Sequence, residues 1–231
     1  MILLCSLMLA VPVNANLEEK LVCLTFDDGP SGRFTRRLLD GMAERGARAT
    51  FFLCGYRIEL YPELAERILL EGHELGIHGY SHDSMDCMGA ADVKREIDST
   101  RVLLPEACKI TFLRVPGGRC SDCVQNMARD CGLSILHWSV DPQDWAVRDA
   151  QVIEKKVISR VRDGDIILLH DLSDSSVDAA FGIIDALQKE GFQFVTVSEM
   201  AAARGVNLIS GEIYTHFRKY PVPTENDSED K

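Results

Sequence analysis

The sequence predicts an α/β fold of parallel strands joined by helices, and three observations lead there. Short apolar and β-branched runs alternate with helical patterns about seven times, with short loops between them. Residues 49–54 (ATFFLC) form a continuous apolar run, the pattern of a strand buried on both faces. The polar residues also fall in one kind of place: Asp27, Asp28, His78, Arg114, Asp141, Asp144 and His170 all lie at or just past the end of a predicted strand. In parallel α/β folds, whether barrels or doubly wound sheets, the C-terminal ends of the strands carry the active site.

The elements follow in order. Leu21, Val22, Cys23 and Leu24 lead a strand directly into Asp27 and Asp28, and Gly29-Pro30 stops it. Phe34, Leu38, Leu39 and Met42 recur at helical spacing, with Gly46 as the C-cap. After the strand at 49–54, a helix spans 61–72, with Pro62 in its first turn and Leu64, Ile68 and Leu69 inward. A short strand at 74–77 leads to His78, and 92–104 is helical. A strand at 111–114 is halted by Pro116-Gly117-Gly118, and Ser121 caps a helix running to 131. The strand at 133–140 breaks at Asp141-Pro142. Helix 150–161, strand 165–170, helix 177–190, strand 192–197 and helix 199–204 complete the alternation. With no repeat and no linker, one domain is expected over 16–210, and 211–231 is read as a polar, acidic tail.

At 231 residues and 46% hydrophobic, the chain can bury a full core as one unit. A net charge of −11 argues against nucleic acid and anionic membrane surfaces as main partners. Residues 1–15 (MILLCSLMLAVPVNA) are uncharged and end in a small-residue pattern, which reads as an export signal cleaved after Ala15, with a buried strand or an uncleaved anchor as alternatives. The run is short for a membrane span. Cys23 and Cys54 sit in strand patterns as buried thiols, whereas Cys87, Cys108, Cys120, Cys123 and Cys131 would allow one disulfide in an exported chain. Cys120-x-x-Cys123 has no second pair at zinc-finger spacing.

Two acids side by side at the end of a buried strand each need a cation, a donor or a proton. His78 and His82, four residues apart, are expected on one face of a helical turn. With one carboxylate of the pair they make two nitrogens and one oxygen, a zinc set with a coordination position left for water. The other aspartate could then take a proton from that water, and Arg114 is the cation suited to a buried carboxylate. The two aspartates are expected to point to different faces of the strand end, which disfavours a paired-carboxylate glycosidase. Attack on an amide or ester carbonyl makes an oxyanion, which the metal and an N–H of the 116–118 turn could hold. His170 could protonate an amine leaving group with Asp144 as its acidic neighbour, and Trp145 could wall a sugar groove. His73 is read as a surface residue, His137 as a core residue, and His216 has no evident role.

Together these residues resemble the polysaccharide deacetylases of the NodB-homology type, carbohydrate esterase family four. The resemblance covers roughly 21–204 and rests on ordered motifs: Thr25-Phe26-Asp27-Asp28-Gly29-Pro30, His78-x-x-x-His82, Arg114-Val115-Pro116-Gly117-Gly118, Asp141-Pro142-Gln143-Asp144-Trp145 and Leu168-Leu169-His170. It implies a distorted (β/α) barrel of about seven units. It further implies Asp27 as base, Asp28, His78 and His82 as ligands, Arg114 steadying Asp27, Asp144 tuning His170 as acid, and Leu168 against the acetyl methyl. The cofactor would be one divalent ion, zinc first, with cobalt or manganese as alternatives. The implied substrate is an amino-sugar polymer, peptidoglycan N-acetylglucosamine ahead of chitooligosaccharides or acetylxylan. An export signal suits such an insoluble target, and the enzyme is expected to be secreted or envelope-associated, with an N-terminal anchor as the alternative, and to act as a monomer. Two positions depart from the family pattern. Gly79 replaces a usual Ser or Thr, and Gly117 stands where an aromatic residue is common, opening the groove. Two other classes compete: a non-haem Fe(II) oxygenase using the same triad, and a silent carbohydrate-binding homologue.

Overall fold

The computed structural model describes residues 19–219. Its strands are β1 (Lys20–Gly29), β2 (Ala49–Leu53), β3 (Glu74–Ile77), β4 (Phe112–Leu113), β5 (Ser134–Leu136), β6 (Asp165–His170), β7 (Phe192–Phe194) and β8 (Ile213–Tyr214). The helices are α1 (Gly32–Arg45), α2 (Gly55–Leu60), α3 (Pro62–Leu70), α4 (Ala90–Arg101), α5 (Asp122–Asp130), α6 (Ala150–Ile158), α7 (Asp174–Lys189) and α8 (Val197–Ala203). The strands pair in parallel in the order β6-β1-β2-β3-β4-β5-β8, with β7 beside the start of β1. A bridge from Val140 to Ile167 brings the chain beyond β5 onto β6, so the sheet curls until its two sides meet. This is the distorted barrel that the motifs imply.

β1 is central because its side chains suit both faces of a buried parallel strand. Val22, Leu24 and Phe26 belong to the large core between sheet and helices. Leu21 and Cys23 alternate with them and join Phe52, Phe112, Leu136 and Ile166 in a second core inside the curl. Thr25 and Asp27 continue that inner phase. The local signals also act as read. Gly46 adopts φ 60° to end α1, Pro62 opens α3, and the Ser121 hydroxyl accepts the Val124 N–H at the start of α5.

Several expectations need correction. α2 has no counterpart in the sequence pattern, since six residues with Gly55 and Ile58 alone buried show no readable period. The ordered fold continues past residue 210, into what the sequence suggests is tail: β8 pairs with β5, Phe217 is buried, and its N–H bonds Gly164 O at 2.7 Å. A two-residue strand held mostly by backbone bonds leaves no pattern to read. His73 is buried, not on the surface; its Nδ1 accepts the Ala49 N–H at 3.2 Å and its ring meets Phe51 edge-on. Burial pushes its pKa down to about 4, as suits an acceptor. The seven described cysteines are free thiols. Cys123 and Cys131 stand about 12 Å apart along α5 and its C-cap, which keeps that pair from bonding. Residues 1–15 and 220–231 lie outside the described residues, and among the described ones no helix is long and apolar enough to cross a membrane.

Phe51 stacks on Phe26 with ring centroids 5.1 Å apart and is fully buried. Phe51→Ala should cost about 3–5 kcal/mol in urea unfolding; a loss under about 1 kcal/mol would contradict this packing.

Candidate active site

The site begins where β1 leaves the barrel. Asp27 lies opposite His170 of β6 and Phe52 of β2 in strand register. The inner phase of β1 aims it at Arg114, which follows β4 and is 0% exposed. Arg114 Nη1 donates to Asp27 Oδ1 and to Thr25 Oγ1, both at 2.7 Å. Its Nε reaches Leu136 O at 3.0 Å and its Nη2 reaches His137 O at 2.9 Å, while the guanidinium lies 4.1 Å from the Phe52 ring centroid. The fork is therefore held on every side, with Asp27 as the carboxylate that balances its charge.

Asp28 does not point away, as strict alternation would require. The register with β2 slips between Asp27 and Gly29, and Asp28 sits in that bulge at φ 70°. A left-handed conformation costs an L-residue roughly 1–2 kcal/mol and is most readily taken by Asn and Asp. The bulge turns the second carboxylate to the same side as the first. His78 Nε2 lies 3.2 Å from Asp28 Oδ1 and 3.8 Å from Asp27 Oδ2.

His78 follows β3 directly, and its Nδ1 lies 2.8 Å from Arg114 O. A carbonyl can only accept, so Nδ1 carries a proton and Nε2 is the nitrogen turned toward Asp28. His82 comes from a loop, not the helical turn expected: Gly79 has φ 78° and His82 has φ 67°. The rings nevertheless converge, with centroids 5.2 Å apart and His82 Nε2 at 2.9 Å from Asp28 Oδ1. Asp28, His78 and His82 each offer an atom within 4.8 Å of the others, the one such group among the described residues.

Whether this group suits a metal can be tested on its polar atoms. Asp28 Oδ1 is buried and accepts no well-aligned hydrogen bond, although two imidazole nitrogens stand beside it. A buried carboxylate oxygen with no hydrogen-bond donor calls for a cation, and two imidazole nitrogens with one oxygen are a zinc-type donor set. Burial opposes ionisation of Asp28, yet the facing imidazoles override it and hold the carboxyl well below the usual range. Asp28 in turn pulls the His82 pKa upward. The ionised Asp28 thus draws positive charge to this point, whether a proton on His82 or a cation in its place.

On the other side, buried Asp144 accepts the His170 backbone N–H at Oδ2 and faces His170 Nδ1 with Oδ1, each at 2.8 Å. Burial lowers the His170 pKa, but Asp144, then Asp27 and Asp28, raise it to about 9. A cavity of 370 Å³ joins these groups, with Leu168, Gly117, Trp138, Asp141 and Trp145 in its walls. Trp145 is 64% exposed, and a Cβ on Gly117 would meet nothing within 4 Å, so the groove is open there. His137 gives its carbonyl to Arg114, while its own Nδ1 is buried without a partner. Two further residues at the site carry no motif in the sequence. Trp138 shares the strand phase of inward-facing Leu136, which could have revealed it. Glu96 falls on the buried face of α4 with Val93, Ile97 and Thr100, where a lone acid signals an unseen partner.

With this geometry in view, comparison with known proteins decides the family. A profile described as Polysaccharide deacetylase matches residues 14–136. The chain belongs to the polysaccharide deacetylase family. It is 35% identical over 185 residues to the peptidoglycan-N-acetylmuramic acid deacetylase PdaC of Bacillus subtilis, covering 79% of this chain and 39% of that protein. It is 36% identical over 191 residues to a peptidoglycan-N-acetylglucosamine deacetylase of Bacillus cereus, covering 79% and 89%. The solved family 4 acetyl xylan esterase from Clostridium thermocellum, in complex with a cobalt ion, superposes with TM-score 0.80 at 30% identity, covering 85% of this chain and 98% of that one.

The electrostatics of this family member's His170 can be measured. Asp144→Asn should lower the His170 pKa from about 9 toward the ordinary value of about 6.5, read from the imidazole signals by NMR titration of the metal-free protein. A folded value above the unfolded one gives stability that is full below about pH 6.5 and is lost as pH rises through about 9. The stability gap between the native chain and the variant should therefore be wider near pH 6 than near pH 10. An equal gap at both would mean that Asp144 does not charge His170.

Proposed function

We propose that this polysaccharide deacetylase removes N-acetyl groups from an amino-sugar polymer of the cell envelope, with peptidoglycan N-acetylglucosamine as first substrate and chitooligosaccharides or acetylxylan as alternatives. The observation that carries the reading is the meeting, in one cavity, of the Asp28–His78–His82 group with an Arg114-held aspartate and an Asp144-held histidine. An Fe(II) oxygenase would leave Asp27, Arg114 and His170 without a task. A silent carbohydrate-binding homologue would have no need of all three parts.

Asp28, His78 and His82 would hold a divalent ion, zinc by donor type, with cobalt or manganese able to replace it. When bound, the ion supplies Lewis acidity to the acetyl carbonyl and eases loss of a proton from the attacking water. Asp27 takes that proton at Oδ2, because Arg114 engages Oδ1 and fixes the carboxylate's orientation. The turn at 116–118 has one N–H to offer a developing oxyanion: Pro116 has none and that of Gly118 bonds Val115 O at 2.9 Å, which leaves Gly117. His170, protonated at neutral pH, gives its Nε2 proton to the departing amine. Leu168 packs against the acetyl methyl, and the Trp138 and Trp145 rings offer apolar faces to sugars. The names of the relatives and residues 1–15 support a secreted or envelope-associated enzyme. The groups of the site all come from one chain, so the proposed reaction needs no residue from a second copy, and we take the enzyme to act as a monomer.

Acetate release from peptidoglycan, chitin oligomers and acetylxylan, with and without chelator, tests the reading. Release from an amino-sugar polymer that stops with chelator and returns with zinc or cobalt is expected; release indifferent to chelator would refute metal assistance. Asp27→Asn should retain the ion and lose about 10²-fold or more in turnover, and unchanged turnover would remove Asp27 as base. His78→Ala with His82→Ala should abolish stoichiometric zinc binding, and full zinc in that variant would place the ligands elsewhere.

A further inference from the structure

We infer that Glu96 is a positioning residue for metal binding, gripping the loop between His78 and His82 so that both imidazoles face Asp28. This rests on the reading of those three residues as ligands.

Glu96 lies on the inward face of α4 and is 8% exposed, yet no cation stands in ion-pair reach of it among the described residues. A carboxylate so buried needs donors. Its Oε2 accepts the Tyr80 N–H at 2.7 Å and the Ser81 N–H at 2.8 Å. Those two amides lie between the histidines, in a stretch with left-handed backbone at Gly79 and His82. Such a stretch has no helix or strand ladder to absorb its N–H groups, so the side chain of another element must do so. The opposite edge of the loop is fixed by α2, whose Gly55 and Tyr56 N–H groups donate to Gly79 O and Tyr80 O at 3.0 and 3.1 Å. α4 is itself seated by Val93 and Ile97 in the core, and the Thr100 hydroxyl donates to Glu96 O at 2.9 Å. The loop is thus clamped between two helices, and Glu96 is the one side chain in the clamp that reaches both amides.

Gly79 belongs to the same device. A Cβ there would lie 3.2 Å from Glu96 Oε2 and 2.7 Å from Met85 Cε, and the position has φ 78°. The hydroxyl that the family usually carries at this position is absent, and the carboxylate from α4 occupies the space beside it. Because ligand distances tolerate only about 0.2 Å, slackening this loop should appear directly as lost metal affinity.

Calorimetric titration of the metal-free full chain with cobalt(II), together with amide hydrogen exchange, tests this. Glu96→Ala should weaken cobalt binding about 10–100-fold, the range seen when groups orienting metal ligands are removed. It should also speed exchange at Tyr80 and Ser81. Glu96→Gln keeps a carbonyl able to accept both N–H groups and should bind within about 3-fold of the native chain. Should Glu96→Ala fail to fold, Glu96→Asp, one methylene too short, carries the comparison. Native affinity and native exchange in the Ala or Asp variant would overturn the inference, and so would a Gln variant as weak as Ala. If the native chain itself binds no cobalt, the ligand reading fails instead, and exchange at Tyr80 and Ser81 alone decides what Glu96 holds.

Discussion

Two carboxylates leave a buried strand one after the other, and the fold must answer each with positive charge. Burying an unpaired carboxylate is prohibitive, so the partners are a condition of folding as well as of chemistry. Asp27 meets Arg114, a cation built into the chain. Asp28 meets two imidazoles and no permanent cation, and its Oδ1 is left without a hydrogen bond. The same side chain type is therefore balanced once and left open once. The proposed division into a base, Asp27, and a metal ligand, Asp28, rests on that difference.

The difference has a backbone origin. Alternation along β1 places Thr25 and Asp27 inside the curl of the sheet, where Arg114 lies between Phe52 and Trp138. A lysine could not occupy that position, since its single ammonium cannot reach two backbone carbonyls, a hydroxyl and a carboxylate lying in different directions. The bulge at Asp28 then departs from the alternation by one residue and brings the second carboxylate round to the histidines. Without it, the pair would straddle the sheet, as strict alternation predicts.

This shows what the sequence made legible and what it did not. Strands such as β3 and β6 can be read to the residue because apolar runs end in abrupt polar or turn signals, and the polar cluster at their ends follows from the same boundaries. The pairing of Arg114 with Asp27 was legible from chemistry alone, since a buried acid limits its partners to a few residue types. What stayed hidden depends on tertiary contact. His73 reads as a surface residue until the Ala49 N–H is seen to need an acceptor. β8 and α2 are too short to show a period, and left-handed backbone at His82 leaves no mark in a spacing of four. Glu96 could have been suspected from its phase on α4, but nothing in the sequence says which amides it meets.

The sheet also divides the site into a rigid and an adjustable part. Asp27 and His170 are register partners on adjacent parallel strands, so their backbones are held at the strand spacing of about 4.8 Å. The groups proposed to take up and give back a proton therefore stand side by side at a backbone distance set by the ladder, which loop changes cannot easily alter. His78 shares that rigidity, because its N–H bonds Leu53 O at 2.9 Å at the end of β2. His82 does not, since it hangs on a loop whose shape is imposed by α2 and α4. On the proposed reading, variation in the polymer recognised can be carried by the open wall at Gly117 and by Trp145, and variation in metal grip by the 79–82 loop, while the Asp27–His170 pair stays fixed by the strands.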